Sequence, residues 1–304
     1  MMFSLSSLQN NTDLSRYKFA LKLLVLCAFF LLIVLNTDFS LIRQELLHVK
    51  PEYLLYSVIL SVLIIFLGSE RFRFILNSYQ IQKSSVDLFF IKYYGQFIDN
   101  FFFGFLGGDA YKYIAIKGDK KNVFKSIILD RVTGLIVLTF LAIPGGLFLV
   151  LQFSKDLSFS LFNLLPIALV GIITVSLASY ILIRKYKEKA TNILNFFWKN
   201  ISVLKDGRLL FLAFVIQLLM VCNLFMVFEA LSWSIPFWQM LIFVPFMNLV
   251  TNLPLSIKGH GIRELLIVIL FSQSIETILA FTIVNTALTI FHTGLFALMH
   301  SLRS

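Results

Sequence analysis

NLPLSIKGHGIRELL, residues 252–266, lies between two strongly apolar runs and holds Pro254, Lys258, Gly259, His260, Gly261, Arg263 and Glu264. Proline disfavours helix in the residue before it, and the glycines allow backbone that other residues resist. Backbone of that kind is tolerated at membrane depth only where protein or a watered cavity satisfies its polar groups. The break therefore predicts a re-entrant hairpin or broken helix over 237–273.

The rest of the chain makes membrane depth the right setting. Of its 304 residues, 59% are hydrophobic, against about 45–50% in soluble domains, and mean hydropathy is +0.88. Phe alone supplies 34 residues, and only 14% are charged. Spanning helices need roughly 20 apolar residues, and six segments qualify: about 21–39, 52–70, 126–152, 160–183, 208–232 and 276–300. A second interrupted run, 86–116, is broken by FFFGFLGGDAYKY. The expected fold is an all-α polytopic membrane protein, with about six full spans plus two re-entrant or broken helices. The first apolar run reads as a retained span: Asp13 precedes it and no small-residue cleavage site follows.

Charge sets the orientation. With a cytoplasmic N-terminus, most of the 26 basic residues fall inside, Arg71, Lys92 and Lys112 among them. Only Arg43, Lys50 and Lys155 fall outside, which satisfies the positive-inside rule. Both termini are then cytoplasmic, in the cell's cytoplasmic membrane. The order becomes span, span, re-entrant, span, twice over and in opposite senses. That is the topology of an inverted repeat with halves of about 1–155 and 156–304 in one domain, and interrupted segments at matching positions point to a binding site. The basic and aromatic stretch 184–207 reads equally as an interfacial amphipathic helix or as an ordinary loop.

Three places hold candidate chemistry. In GFLGGDAYKY (104–113), Gly107 and Gly108 precede Asp109, which reads as the cap of a following half-helix. Its free N–H groups and dipole would favour an anion, with Lys112 nearby; the plain alternative is a tight turn with a snorkelling lysine. Asp130 and Arg131 stand near the start of a strong span, where ionisable residues are costly. They point roughly 100° apart on a helix and need not pair with each other. In the opening stretch, Lys258, Gly259, Gly261, Arg263 and Glu264 form the third group, and His260 reads as a loop residue. Arg263 would offer a planar fork to phosphate. Cys27 and Cys222 lie in apolar runs and read as small core residues. No metal site, cofactor motif, P-loop or nucleic-acid-binding stretch is expected.

On these residues the chain resembles a family. PLSIKGHGIRE is similar to the proline-then-G-x-x-R-E signature of the lysylphosphatidylglycerol synthase transmembrane, or flippase-like, family. FLGGDAYKY resembles its GGD-x-x-basic signature, and LDRVTGL its acidic-Arg-x-x-G-L signature, in the family's order. Lys258 and His260 stand where smaller residues are expected, and Phe103 near where a proline is common. The resemblance implies an integral membrane protein that handles a lipid with a polar headgroup. In the family's two-domain synthases this region moves lipid between leaflets, while a soluble domain, for which this chain shows no sequence, aminoacylates it.

The expected function is therefore binding, and translocation between leaflets, of a phosphate-bearing lipid, with membrane lipids as partners. Arg131, Arg263 and Lys112 would hold phosphate, with Asp109 and Glu264 orienting them. Two other classes stay open. One is a membrane-embedded transferase acting on a lipid-linked sugar, with Asp38 and Asp99 as acid/base or metal candidates. The other is a non-transporting accessory of an envelope lipid- or glycan-modifying enzyme.

Overall fold

The computed structural model describes residues 39–101, 107–156, 201–252, 261–271 and 274–303. The expected spans at 21–39 (all but Phe39) and 160–183, most of 184–207, and Asp38, Lys258, Gly259 and His260 lie outside the described residues.

Every regular element described is a helix: α1 (Phe39–Leu47), α2 (Pro51–Ser78), α3 (Ser85–Phe101), α4 (Gly107–Ala115), α5 (Lys120–Asp156), α6 (Ile201–Leu204), α7 (Gly207–Ala230), α8 (Phe237–Thr251), α9 (Ile262–Phe271) and α10 (Ile275–Arg303). Four of them, α2, α5, α7 and α10, are long and apolar enough to cross a membrane. Their outer faces carry large exposed apolar side chains such as Phe140, Phe211 and Phe291, the surface expected of helices solvated by lipid rather than water. The chain is an all-α polytopic membrane protein.

Two of the spans outrun their apolar stretches. The second runs to Ser78 rather than about 70, and the one after the first break begins at Lys120 rather than about 126. Pro51 starts α2, where its missing N–H costs nothing. Asp206 caps α7 by accepting from the Arg208 N–H at 2.9 Å.

Each interrupted run folds back on itself. In the first, Tyr94 of α3 meets Tyr111 of α4 with ring centroids 4.6 Å apart. Nearer the tip, the Gly108 N–H donates to the Asp99 carboxylate at 2.7 Å. In the second, Phe243 of α8 meets Phe271 of α9 at 5.8 Å. Both runs are thus antiparallel hairpins with a longer first arm and a shorter second.

The hairpins open at opposite ends of the bundle. α2 and α7 lie antiparallel: the Lys50 N–H donates to the Ala230 carbonyl at 2.9 Å, and Asn223 Nδ2 to the Ser57 carbonyl at 2.6 Å. At the other end of the pair, Ile75 and Leu209 share a small core with Leu129. The first hairpin starts beside Ser78 and the second beside Ala230, so their bases lie at opposite ends of the α2–α7 pair.

Packing follows the same exchange. Replacing α2 by α7, α3 by α8, α4 by α9 and α5 by α10 turns each close pairing among these eight helices into another that is present. α3 packs on α10 as α8 packs on α5; α2 and α7 pack on each other. The first of these joins Asn100 Nδ2 to Thr293 Oγ1 at 2.9 Å. The second sets Phe148 against Phe243 at 5.2 Å, where Gly145 leaves room for the Ile242 carbonyl. One buried cluster, including Phe72, Leu88, Ile116 and Val123, comes wholly from α2–α5. Another, including Phe228, Met240, Phe243 and Phe281, comes almost wholly from α7–α10 and the turn between α7 and α8.

Candidate functional site

The first hairpin carries charge into the bundle. On α3, Lys92, Gly95 and Asp99 recur at three- and four-residue spacing and share one face. Gly95 lets α4 approach closely. A Cβ on Gly108 would lie 2.7 Å from the Gly95 carbonyl oxygen and 2.5 Å from the Asp99 carboxylate, so neither a side chain nor a wider separation fits. That approach sets α4 against α5 with the side chains of Asp109 and Lys112 largely covered.

Asp109 is the hub. Lys112 Nζ donates to its Oδ1 at 2.9 Å, and Arg131 Nε of α5 donates to its Oδ2. It is a first-turn residue of α4 rather than the cap expected from the sequence. The cap role belongs to Asp99 on the opposite arm, whose carboxylate takes the Gly108 N–H. That N–H is therefore not presented to an anion, contrary to the expectation from sequence. The positive character of the site comes from its side chains.

Asp130, one residue before Arg131, turns to a different set of partners, as the angular offset along a helix predicts. Arg71 of α2 donates from Nε to its Oδ1 at 2.7 Å and from Nη2 to its backbone carbonyl at 3.2 Å. Lys92 Nζ stands 3.9 Å from Oδ2. Arg71 and Asp130 are buried. Gly134, one turn beyond Asp130, leaves space for the Arg71 guanidinium, and Gly68 lies against the Lys92 ammonium.

Arg71 and Lys92 are the residues that sequence reasoning did not assign to the site. They were expected at the cytoplasmic face among other basic residues, yet both reach inward to Asp130. The available signal was Asp130 itself, a carboxylate in an apolar run, which demands a cation from elsewhere. Four basic side chains (Arg71, Lys92, Lys112 and Arg131) thus converge on Asp109 and Asp130, with Asp99 beside them. Even counting Asp99, positive charge is in surplus.

The second hairpin is built differently. Gly261 sits at φ +84, a conformation that favours glycine, and its N–H donates to Glu264 Oε2 at 2.5 Å. Glu264, the third residue of α9, reaches back over the helix start as the acidic half of a capping box does. Thr282 of α10 donates to its other oxygen at 3.2 Å. Arg263 is half-buried in the same first turn. The structure therefore gathers Asp109, Lys112, Asp130 and Arg131, packs Gly108 at their edge with Gly107 starting the same helix, and holds Gly261, Arg263 and Glu264 on the other hairpin. Among the described residues, no group of His, Cys, Asp and Glu suited to a metal ion occurs.

On the outer side of α4 and α5 an open groove of about 820 Å³ runs from Lys120 and Lys121 past Phe124 and Ile128 to Asp109 and Arg131. Charged residues close both its ends and apolar ones form its wall.

Neither the curated proteins nor the solved structures contain a match to this chain. A family model does match, over residues 19–296, nearly its whole length and all three motifs. That family ties the chain to the membrane and to lipid metabolism or transport. With two glycine-broken hairpins, an Asp109–Arg131 pair and a match of this extent, the chain belongs to the family described as the lysylphosphatidylglycerol synthase TM region.

Proposed function

We propose that this protein binds a lipid with a phosphate-bearing headgroup at the first hairpin and moves it between leaflets. The observation that carries this reading is the surplus of basic side chains around Asp109 and Asp130, set among apolar helices. Such groups are expensive in a membrane and mark substrate pathways. Arg131 is the group we assign to phosphate, because its guanidinium presents a planar fork. Lys112 adds a second charge, and Asp109 holds both when no lipid is present.

The pairing of helices by exchange supports reading the bundle as an inverted repeat of one domain, in which rocking of one half on the other opens the site to each side in turn. The first-hairpin end carries Lys83, Lys117, Lys120, Lys121, Lys205 and Arg208. By the positive-inside rule this end faces the cytoplasm. Arg263 and Glu264 contribute from the second hairpin during that motion. We assign the chain no transferase chemistry, because the family region it matches is the membrane part of the synthases.

Reconstituted vesicles test the reading. Purified protein is expected to speed the crossing of a fluorescent phospholipid well above protein-free vesicles. Arg131→Gln and Asp109→Asn should each lower that rate about tenfold or more, the effect of losing roughly 1.4 kcal/mol in a transition state. Unchanged rates in both variants would remove the proposed site.

A further inference from the structure

On that lipid-handling reading, the groove beside α4 and α5 gains a substrate. Among the described residues that line it, Lys120, Lys121 and Arg131 stand against the carboxylate of Asp109. Lys120 is engaged, donating to the carbonyls of Tyr113, Ile114 and Ile116 at 2.7, 3.1 and 3.1 Å and so closing the end of α4. Lys121 is exposed at the mouth. Arg131 lies ten residues further along the same helix, about 15 Å at the α-helical rise. Between them the exposed ring of Phe124 and the side chains of Ile127 and Ile128 form an apolar wall. A single phosphate cannot touch both bases, but it can pass from one to the other while an acyl chain lies along the wall.

At the matching described positions the other half has no such rim. α9 trails α4, and α10 trails α5, by the same length of chain. At matching places, Lys120 and Lys121 are replaced by Ile275 and Glu276, Lys112 by Ile267, and Arg131 by Thr286. Only the carboxylate persists, as Glu264 for Asp109. A symmetric packing scheme thus carries an asymmetric charge.

We propose that the α4–α5 groove is a loading track for an acidic phospholipid from the leaflet at the first-hairpin end, its phosphate received at Lys121 and passed to Arg131. The charge complement decides the class. A net-anionic headgroup neutralises this rim, whereas a zwitterionic one brings its own cation toward Lys121. Asp109 holds Arg131 until phosphate arrives, so the track ends at the site already described.

The test places a reporter on the wall. Phe124→Trp is made in the full chain, an exposed position where an indole is tolerated, and the signal of the parent protein is subtracted. The protein is reconstituted into phosphatidylcholine vesicles holding equal fractions of either dibrominated phosphatidylglycerol or dibrominated phosphatidylcholine. Quenching is expected to favour phosphatidylglycerol about fivefold, the worth of one basic residue at a membrane surface. Lys121→Gln should abolish that preference, while Lys117→Gln, on the same face but outside the groove, should retain it. Equal quenching by both lipids, or equal loss in both lysine variants, overturns the track. The wider reading fails separately. If both lipids cross equally fast and crossing still needs Arg131, transport stands and the track falls. If the preference is found but no lipid crosses, the track stands as a binding groove and transport falls.

Discussion

Asp130 divides its two carboxylate oxygens between helices, one to Arg71 of α2 and the other toward Lys92 of α3. A carboxylate taken from water is tolerated only with such partners, and removing one partner of a buried pair costs more than removing both. Asp130→Asn should therefore lower stability by roughly 3–5 kcal/mol, seen as a large drop in Tm of the detergent-purified protein. Arg71→Met and Lys92→Met with Asp130→Leu should recover much of the loss; a triple variant no better than the single would refute the cluster's role. The motifs were legible as separate words. Asp109 and Arg131 could be marked as candidates because charge in an apolar run is conspicuous. That Asp109 orients Lys112 and Arg131 was an expectation from sequence, whereas the partners of Asp130 were not legible, since Arg71 and Lys92 lie on other helices. Arg71 was hidden for a related reason. It sits beside Arg73 past the most apolar part of its span, where sequence reads it as a face residue, and only tertiary packing turns it inward.

At the scale of the element, the first hairpin depends on contact between two glycines. Gly95 and Gly108 bring the backbones of α3 and α4 close enough for Asp99 to cap α4 across the gap. Gly108→Ala would push its new methyl into the Gly95 carbonyl. Overpacking of this kind costs about 1–3 kcal/mol, and the variant should show a lower Tm and weaker phospholipid binding together. A Gly108→Ala protein with wild-type stability would show that the arms are not in contact. The hairpins themselves were readable in advance, because each interrupted run yields pieces shorter than a span and separated by glycines. Their arm lengths were not, nor was the use of Asp99, which the sequence offered only as an acid/base or metal candidate. Capping from the opposite arm leaves no local pattern, unlike Glu264, whose place three residues after Gly261 follows the known spacing for a helix start.

Across the whole molecule, each helix of α2–α5 finds its counterpart in α7–α10, and the close pairings of one set recur in the other. Alternation of half-spans and basic residues along the chain foretold this order, although residue-level likeness between the halves is slight: the acidic third residue of α4 and α9 is the main trace. Packing constrains lengths and directions more tightly than it constrains side chains, so topology persists where sequence has diverged. At the matching described positions the charges do not repeat. All of it depends on hairpins that open on opposite faces. With Cys27 and Cys222 replaced by serine and alanine, single cysteines at Gln82, before α3, and Ser234, before α8, report each base directly. In sealed vesicles of uniform orientation, an impermeant maleimide should reach one of these positions from outside and the other only after the membrane is opened. Labelling of both from the same side of intact vesicles would contradict the arrangement described here.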